Sequence, residues 1–172
     1  GIQAVTAARL GADATAVDVC RRALATVKLN ARRNGTRVRV RRGHLFDAVP
    51  GERFDLVVSN PPYVPSRDPL PTAGPSRAWA ASADGRRFLD EICDRAPAHL
   101  EPGGVLLLVH SSLIGEDRTF DRLHRAGFAD VTVAQREHGP LGPLMREQQE
   151  AGTIPADVDG EDVVVVRAVL PA

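Results

Sequence analysis

The stretch FDLVVSNPPYVP, residues 54–65, decides how the rest of the chain is read. Phe54–Ser59 is a mostly apolar, strand-like run that stops at Asn60. Pro61 and Pro62 follow, and then Tyr63, the only tyrosine in 172 residues. A residue before proline is driven to an extended backbone, and each proline holds its own φ at about −65°. Asn60 therefore projects its amide from a stiff strand end. The Asn60 side-chain carbonyl and a backbone carbonyl of the proline segment make two convergent acceptors. Two acceptors suit an NH2 group with two hydrogens, and Tyr63 adds a flat face. Together these suit a planar amine or amide: glutamine, adenine or cytosine. The alternative is an Asn-Pro turn with Tyr63 packed on the core. The position directly after a buried strand of an α/β chain favours the clamp, because ligands of such sheets bind beyond the carboxyl ends of strands.

Working outward, helix-like and strand-like segments alternate. Residues 2–10 have helix formers and end at Gly11. Residues 14–19 (ATAVDV) are a short buried-strand run. Residues 20–35 carry Ala23, Leu24, Val27 and Ala31 at helical spacing and end at Asn34-Gly35. Residues 36–42 alternate with period two. Downstream of Asn60, a loop to about Ala83 holds six prolines, a length that marks functional loops. Residues 84–100 predict an amphipathic helix with Asp84 as N-cap and Pro97 disturbing its last turn. EPGG reads as a turn and VLLLVH, 105–110, as a fully buried strand. A helix over 115–126 and strands over 129–137 and 161–169 follow, with a short helix ending near Ala151 between the last two. The alternation predicts one α/β domain over residues 1–172, a parallel sheet covered on both faces. The final strand pair lacks a long crossover and is expected to be antiparallel.

Lys plus Arg equals Asp plus Glu, at 22 each, so the whole chain makes no case for nucleic acid or an anionic membrane. Locally, the stretch from Arg21 to Arg53 is rich in arginine, with only Asp47 and Glu52 against it. That stretch reads either as a nucleic-acid face or as a solvated helix face. Cys20 and Cys93 are too far apart in sequence to suggest a disulfide framework or a metal site, and a reducing, cytoplasmic compartment is the expectation. No apolar run reaches the roughly 18 residues of a membrane helix. The chain opens at Gly1 and its one methionine is Met145, so it is expected to begin inside a longer protein.

Four more residues are candidates for a binding site. Asp18 ends the first strand, where a carboxylate holds ribose hydroxyls or caps the next helix. Gly1 directly precedes a helix, 17 positions before Asp18. Nucleotide-binding βαβ units place the acid about 20 positions after their glycine-rich turn, so Gly1 is a candidate for the last glycine of such a turn. His44 and Leu45 are placed to flank an adenine ring, or His44 is simply solvated.

At this point the chain resembles a known group. NPPY after a strand is the signature of S-adenosyl-L-methionine-dependent methyltransferases acting on planar nitrogens. NPPYVP followed by RAWAASADGRRFLDEI and LEPGGVLLLV resembles the HemK family, the glutamine methyltransferases of peptide-chain release factors. The resemblance implies that Asn60 and the Pro61 backbone hold the glutamine amide, with Pro62 and Tyr63 completing the site. It implies that Gly1, Asp18, His44, Leu45 and Asn60 meet the S-adenosyl-L-methionine cofactor, with no metal. The family usually has an acidic residue where His44 stands, so the adenine contact passes to a His44 ring nitrogen or to the Leu45 backbone. The partner implied is a release factor, with nucleic acid the alternative and no membrane. The implied fold is a Rossmann-like class I methyltransferase sheet of strand order 3-2-1-4-5-7-6, lacking in this chain its first, central strand. Such a chain is expected to fold poorly and bind cofactor weakly; a cooperative melt with micromolar cofactor affinity would overturn that. The rival readings are an adenine-N6 methyltransferase with its base on Tyr63 and a non-catalytic domain that binds a partner. No dedicated base is required, although Asp68 and Asp84 are candidates.

Overall fold

The computed structural model describes residues 1–66 and 74–172. Two compact units divide the chain, Gly1–Glu52 and Arg53–Ala172, and each builds its own sheet.

The first unit runs α1 (Ile2–Arg9), β1 (Ala14–Asp18), α2 (Arg21–Arg33), β2 (Val38–Arg42) and a one-turn 3-10 helix at Leu45–Ala48. β1 and β2 are parallel, from Ala14 opposite Val38 to Asp18 opposite Arg42. A parallel pair needs a crossover, and α2 supplies it. Leu24, Val27 and Ala31 recur on one side of α2 and are its buried residues. The helix stops at Asn34, and Gly35 takes the left-handed conformation (φ +65°) that commonly closes a helix.

The second unit begins with β3 (Phe54–Ser59). A 3-10 turn at Pro75–Ala78 and α3 (Arg87–Arg95) follow, then β4 (Leu100–Ser111), α4 (Glu116–Arg125), β5 (Asp130–Pro140), α5 (Pro143–Glu150) and β6 (Gly160–Val169). Its sheet has the order β3-β4-β6-β5. β3 lies parallel to β4, while β6 is antiparallel to both β4 and β5. The antiparallel final pair is as expected, with the four consecutive valines of β6 inserted between two neighbours. Each sheet is a run of the expected order: β2-β1 corresponds to 3-2, and β3-β4-β6-β5 to 4-5-7-6. The core of this unit joins Leu106 and Leu108 of β4, Val164, Val166 and Ala168 of β6, Leu89 and Ile92 of α3 and Leu123 of α4, all sealed from solvent.

Four local expectations change. VLLLVH is not buried throughout: Leu106, Leu108 and His110 are sealed, while Val105, Leu107 and Val109 are half-exposed. In β3, Leu56 and Val58 are 45% and 39% exposed, because among the described residues β4 is the only strand hydrogen-bonded to it. EPGG is absorbed into the start of β4. The helix expected over 84–100 is α3 alone, since its end tightens into a 3-10 turn at Ala96–His99 around Pro97. Its N-cap is Arg86, not Asp84. Among the described residues no helix is long and apolar enough to cross a membrane.

Candidate active site

β3 delivers Asn60. Ser59 is the last residue in register, opposite Leu108 of β4, and Asn60 lies one step beyond, exposed. Its side-chain amide has no hydrogen-bond partner among the described residues. Pro61 is buried beneath it, and Pro62 and Tyr63 are half-buried. The phenol of Tyr63 is pushed above its ordinary pKa, first by burial and second by the negative charge of Glu161. It therefore stays a neutral hydroxyl at physiological pH. Glu161, at the start of β6, accepts the Gly142 N–H at 3.1 Å.

The segment after Tyr63 is pinned by a stub of parallel pairing. The Val64 N–H donates to the Trp79 carbonyl (3.0 Å), the Ala81 N–H to the Val64 carbonyl (3.0 Å) and the Ser66 N–H to the Ser82 carbonyl (3.1 Å). Between these two strands of the stub lie residues 67–73, so Asp68 falls outside the described residues. Behind the stub, Ser82, Asp84 and Gly85 form a tight turn. The Ser82 hydroxyl donates to Asp84 Oδ1 (2.6 Å), which also accepts the Arg86 N–H (3.1 Å). Gly85 has φ +72°, and a Cβ there would run into the Tyr63 carbonyl oxygen. Only glycine allows both that backbone conformation and that approach.

Arg86 anchors the turn. Its guanidinium is almost wholly buried, 1% exposed. Nε donates to Asp90 (2.9 Å), and Nη1 to the carbonyls of Ile114 (2.8 Å) and Gly115 (3.0 Å) and to Thr119 Oγ1 (3.1 Å). Asp90 also takes Arg122 at 3.2 Å. A buried cation so completely paired is stable, but removing a partner of such a pair costs about 3–5 kcal/mol. Tyr63 thus rests on Gly85, and Arg86 ties Gly85 to the start of α4. Asp84 belongs to this scaffold. Its hydrogen bond from Ser82, followed by those from Arg86 and Arg118, holds its carboxyl below the usual carboxylate range. A carboxylate so engaged makes a poor proton acceptor for a substrate.

His110 lies near the buried end of β4, next to Ser111, which is also buried. Its Nδ1 lies 2.8 Å from the Ser111 carbonyl, and Nε2 is buried with no partner. Burial, above all, pushes its pKa down, so the ring is neutral.

Of the five residues expected to meet the cofactor, Gly1, Asp18, His44 and Leu45 lie in the first unit and Asn60 in the second. The Gly43 N–H donates to the Asp18 carbonyl at 3.2 Å, which sets residues 43–45 beside the end of β1. Asp18 Oδ1 accepts the Cys20 N–H at 2.7 Å. That oxygen does not cap α2, whose N-cap is Cys20 with no side-chain cap hydrogen bond. The other has no partner among the described residues and is open to a hydroxyl. Leu45 has φ +42°, the one non-glycine residue with positive φ among the described residues. Such strain in a branched residue is concentrated at binding sites. His44 is extended (φ −91°, ψ 118°) and half-buried. Gly1 stands at the N-cap of α1, and a Cβ there would collide with the Val27 side chain of α2. It is packed against α2. An aspartate with a free oxygen at a strand end and a strained backbone beside it fit a ribose and a ring.

Gly85, Arg86 and Glu161 were not singled out by sequence. The Asp84-Gly85 dipeptide is a turn signal and would have marked the turn, but not its contact with Tyr63.

Comparison with known proteins gives these chemical features a context. The methyltransferase small domain family matches residues 1–73. A release factor glutamine methyltransferase of Xylella fastidiosa is 40% identical over 139 residues, 77% of this chain and 50% of its own length. A putative protein N5-glutamine methyltransferase of Methanocaldococcus jannaschii is 33% identical over 147 residues, 84% of this chain and 74% of its own length. The chain spans about half the length of most of the curated relatives it matches. Among solved structures, a T. thermophilus 16S rRNA methyltransferase in complex with AdoMet and guanosine has a TM-score of 0.55 at 18% identity, covering 95% of this chain and 33% of its own. That likeness is one of fold, and the fold is the Rossmann-like α/β fold of methyltransferases.

Proposed function

Because this chain belongs to the protein N5-glutamine methyltransferase family, we propose that it methylates the side-chain amide of a glutamine in a peptide-chain release factor, with S-adenosyl-L-methionine as methyl donor. The observation that carries the reading is the unpartnered amide of Asn60 at the carboxyl end of β3, held by two prolines and backed by the Gly85 turn. When bound, the cofactor's sulfonium supplies an activated methyl group.

The chain's own residues supply position and polarity. An amide nitrogen is a poor nucleophile, since its lone pair is delocalised into the carbonyl. The Asn60 side-chain carbonyl and the Pro61 backbone carbonyl accept its two N–H groups. This turns the lone pair outward and favours positive charge growing on nitrogen. The half-buried, neutral ring of Tyr63 covers the flat amide and excludes water from one face. The gain is orientation plus preorganised dipoles. No residue is needed to remove the proton, because alkylated amide nitrogen is acidic enough to lose it to water. On the cofactor side, the free oxygen of Asp18 takes the ribose, and His44 and Leu45 take the ring. Gly1 closes the turn that precedes α1. Residues 1–172 as one methyltransferase domain, and a cytoplasmic place of work, belong to the same proposal.

Labelled methyl transfer tests it, with a release factor and single-stranded nucleic acid offered as separate acceptors. Label is expected in the release factor. Asn60→Ala is expected to lower kcat at least about 100-fold with an unchanged melting temperature. Retained turnover in that variant would sink the assignment of the clamp. Label entering nucleic acid instead would overturn the acceptor in favour of adenine.

A further inference from the structure

The two units carry opposite charge. Residues 1–52 hold ten basic side chains against four acidic, a net of +6, and residues 53–172 hold twelve against eighteen, a net of −6. The pairing differs as well. In the second unit Arg86, Arg95, Arg118, Arg122, Arg136 and Arg167 all sit in ion pairs. In the first, Arg39 reaches Asp13 and Arg41 reaches Glu52. Arg21, Arg22, Lys28, Arg32, Arg33 and Arg37 are exposed and have no acidic partner among the described residues.

These free cations are ordered. Arg21, Lys28 and Arg32 follow the spacing i, i+7, i+11, one stripe along α2 that rises about 16 Å. The stripe borders an open groove of about 330 Å³ lined by Arg21, Leu24, Ala25 and Lys28 of α2 and by Val40 and Arg42 of β2. Its floor is apolar and its rim cationic.

We propose that this face of the first unit binds single-stranded RNA through its phosphates, with the groove taking one unstacked base or ribose. A protein partner would need an interface whose charged rim is matched by an extended apolar core, and here the apolar floor is one small groove beside a cationic stripe that runs the length of α2. Nucleic-acid interfaces are far more positive than protein ones. A single strand fits better than a duplex because the groove admits one planar group, which a duplex keeps inside its stack. The unit's only aromatic residue, Phe46, is buried, so the face lacks an aromatic stacking platform. Binding is then led by phosphates and indifferent to sequence. This surface is separate in chemistry from methyl transfer and does not depend on which acceptor is methylated.

The test is fluorescence anisotropy of the full chain with a labelled single-stranded RNA of roughly 12 nucleotides. Salt is varied between about 50 and 200 mM. With roughly four phosphates neutralised, log K is expected to fall against log salt with a slope of about −3. The triple variant Arg21→Gln, Lys28→Gln, Arg32→Gln is expected to lower that slope by about 2 and to weaken binding at least about tenfold at the low-salt end. Its circular dichroism should match wild type, since all three positions are exposed. Arg125→Gln, a charge removed from the second unit, is expected to leave RNA binding unchanged. No binding at low salt, an unaltered slope in the triple variant, or equal loss in Arg125→Gln would each overturn the proposal. Preference for duplex DNA would reject the single strand, and equal affinity for a polyglutamate peptide would reassign the face to an acidic protein.

Discussion

β3 and β4 are neighbouring parallel strands of similar apolar composition, yet they bury different things. Leu108 on β4 is sealed, whereas Leu56 on β3 is 45% exposed. Among the described residues, β4 has a hydrogen-bonded strand on each side and β3 has one. Their ends differ too. β3 runs out into Asn60, an exposed amide with no partner among the described residues. The last two residues of β4 include His110, a buried ring with an orphaned nitrogen. An apolar run sets a strand's capacity for burial, and its neighbours decide how much of that capacity is used.

The largest expected effect tests that contrast directly. Leu108→Ala should cost about 2–5 kcal/mol of unfolding free energy, because it leaves a cavity in a packed core. Leu56→Ala should cost less than about 1 kcal/mol, as for a side chain already half in water. Denaturant melts of the two variants give the difference, and equal losses would mean that β3 is covered in solution. Second in size, Gly85→Ala should lower stability by about 1–3 kcal/mol, from its left-handed backbone and its approach to Tyr63. It should also slow methyl transfer by more than Leu56→Ala does, since it moves the support of the clamp. A stable Gly85→Ala variant with full turnover would separate the turn from the site. The smallest effect belongs to His110. Its folded pKa lies below the ordinary 6.5, so the unfolded chain binds the proton first as pH falls. The stability is fully present above 6.5 and declines below it, through the lowered folded value. Melts between about pH 5 and 7 should show this slope, and His110→Leu should flatten it. An unchanged slope would assign the acid sensitivity to other groups.

How much was legible follows from the range of each interaction. The stiff delivery of Asn60 was readable because proline acts on its immediate neighbours. The antiparallel end of the sheet was readable from the missing crossover between residues 137 and 161. Both runs of the strand order followed from the resemblance. The exposure of Leu56 was not legible, because it depends on which strands pair with β3. Nor was the Gly85 contact, since Gly85 and Tyr63 are 22 positions apart and meet only once the loop closes. Arg86 looked like one more helix-surface arginine until α3 and α4 came together around it. At Asp18, the sequence left ribose ligand and cap as alternatives, and the cap falls away because α2 starts two residues later, with Cys20 at its N-cap.

The short pairing behind the clamp has an optical consequence. The chain's one tyrosine directly precedes Val64, and its one tryptophan supplies the carbonyl that Val64 donates to. Light absorbed at Tyr63 is therefore passed to a neighbour at Trp79, and the emission colour of the unlabelled protein reports whether residues 63–66 and 79–82 are still zipped together.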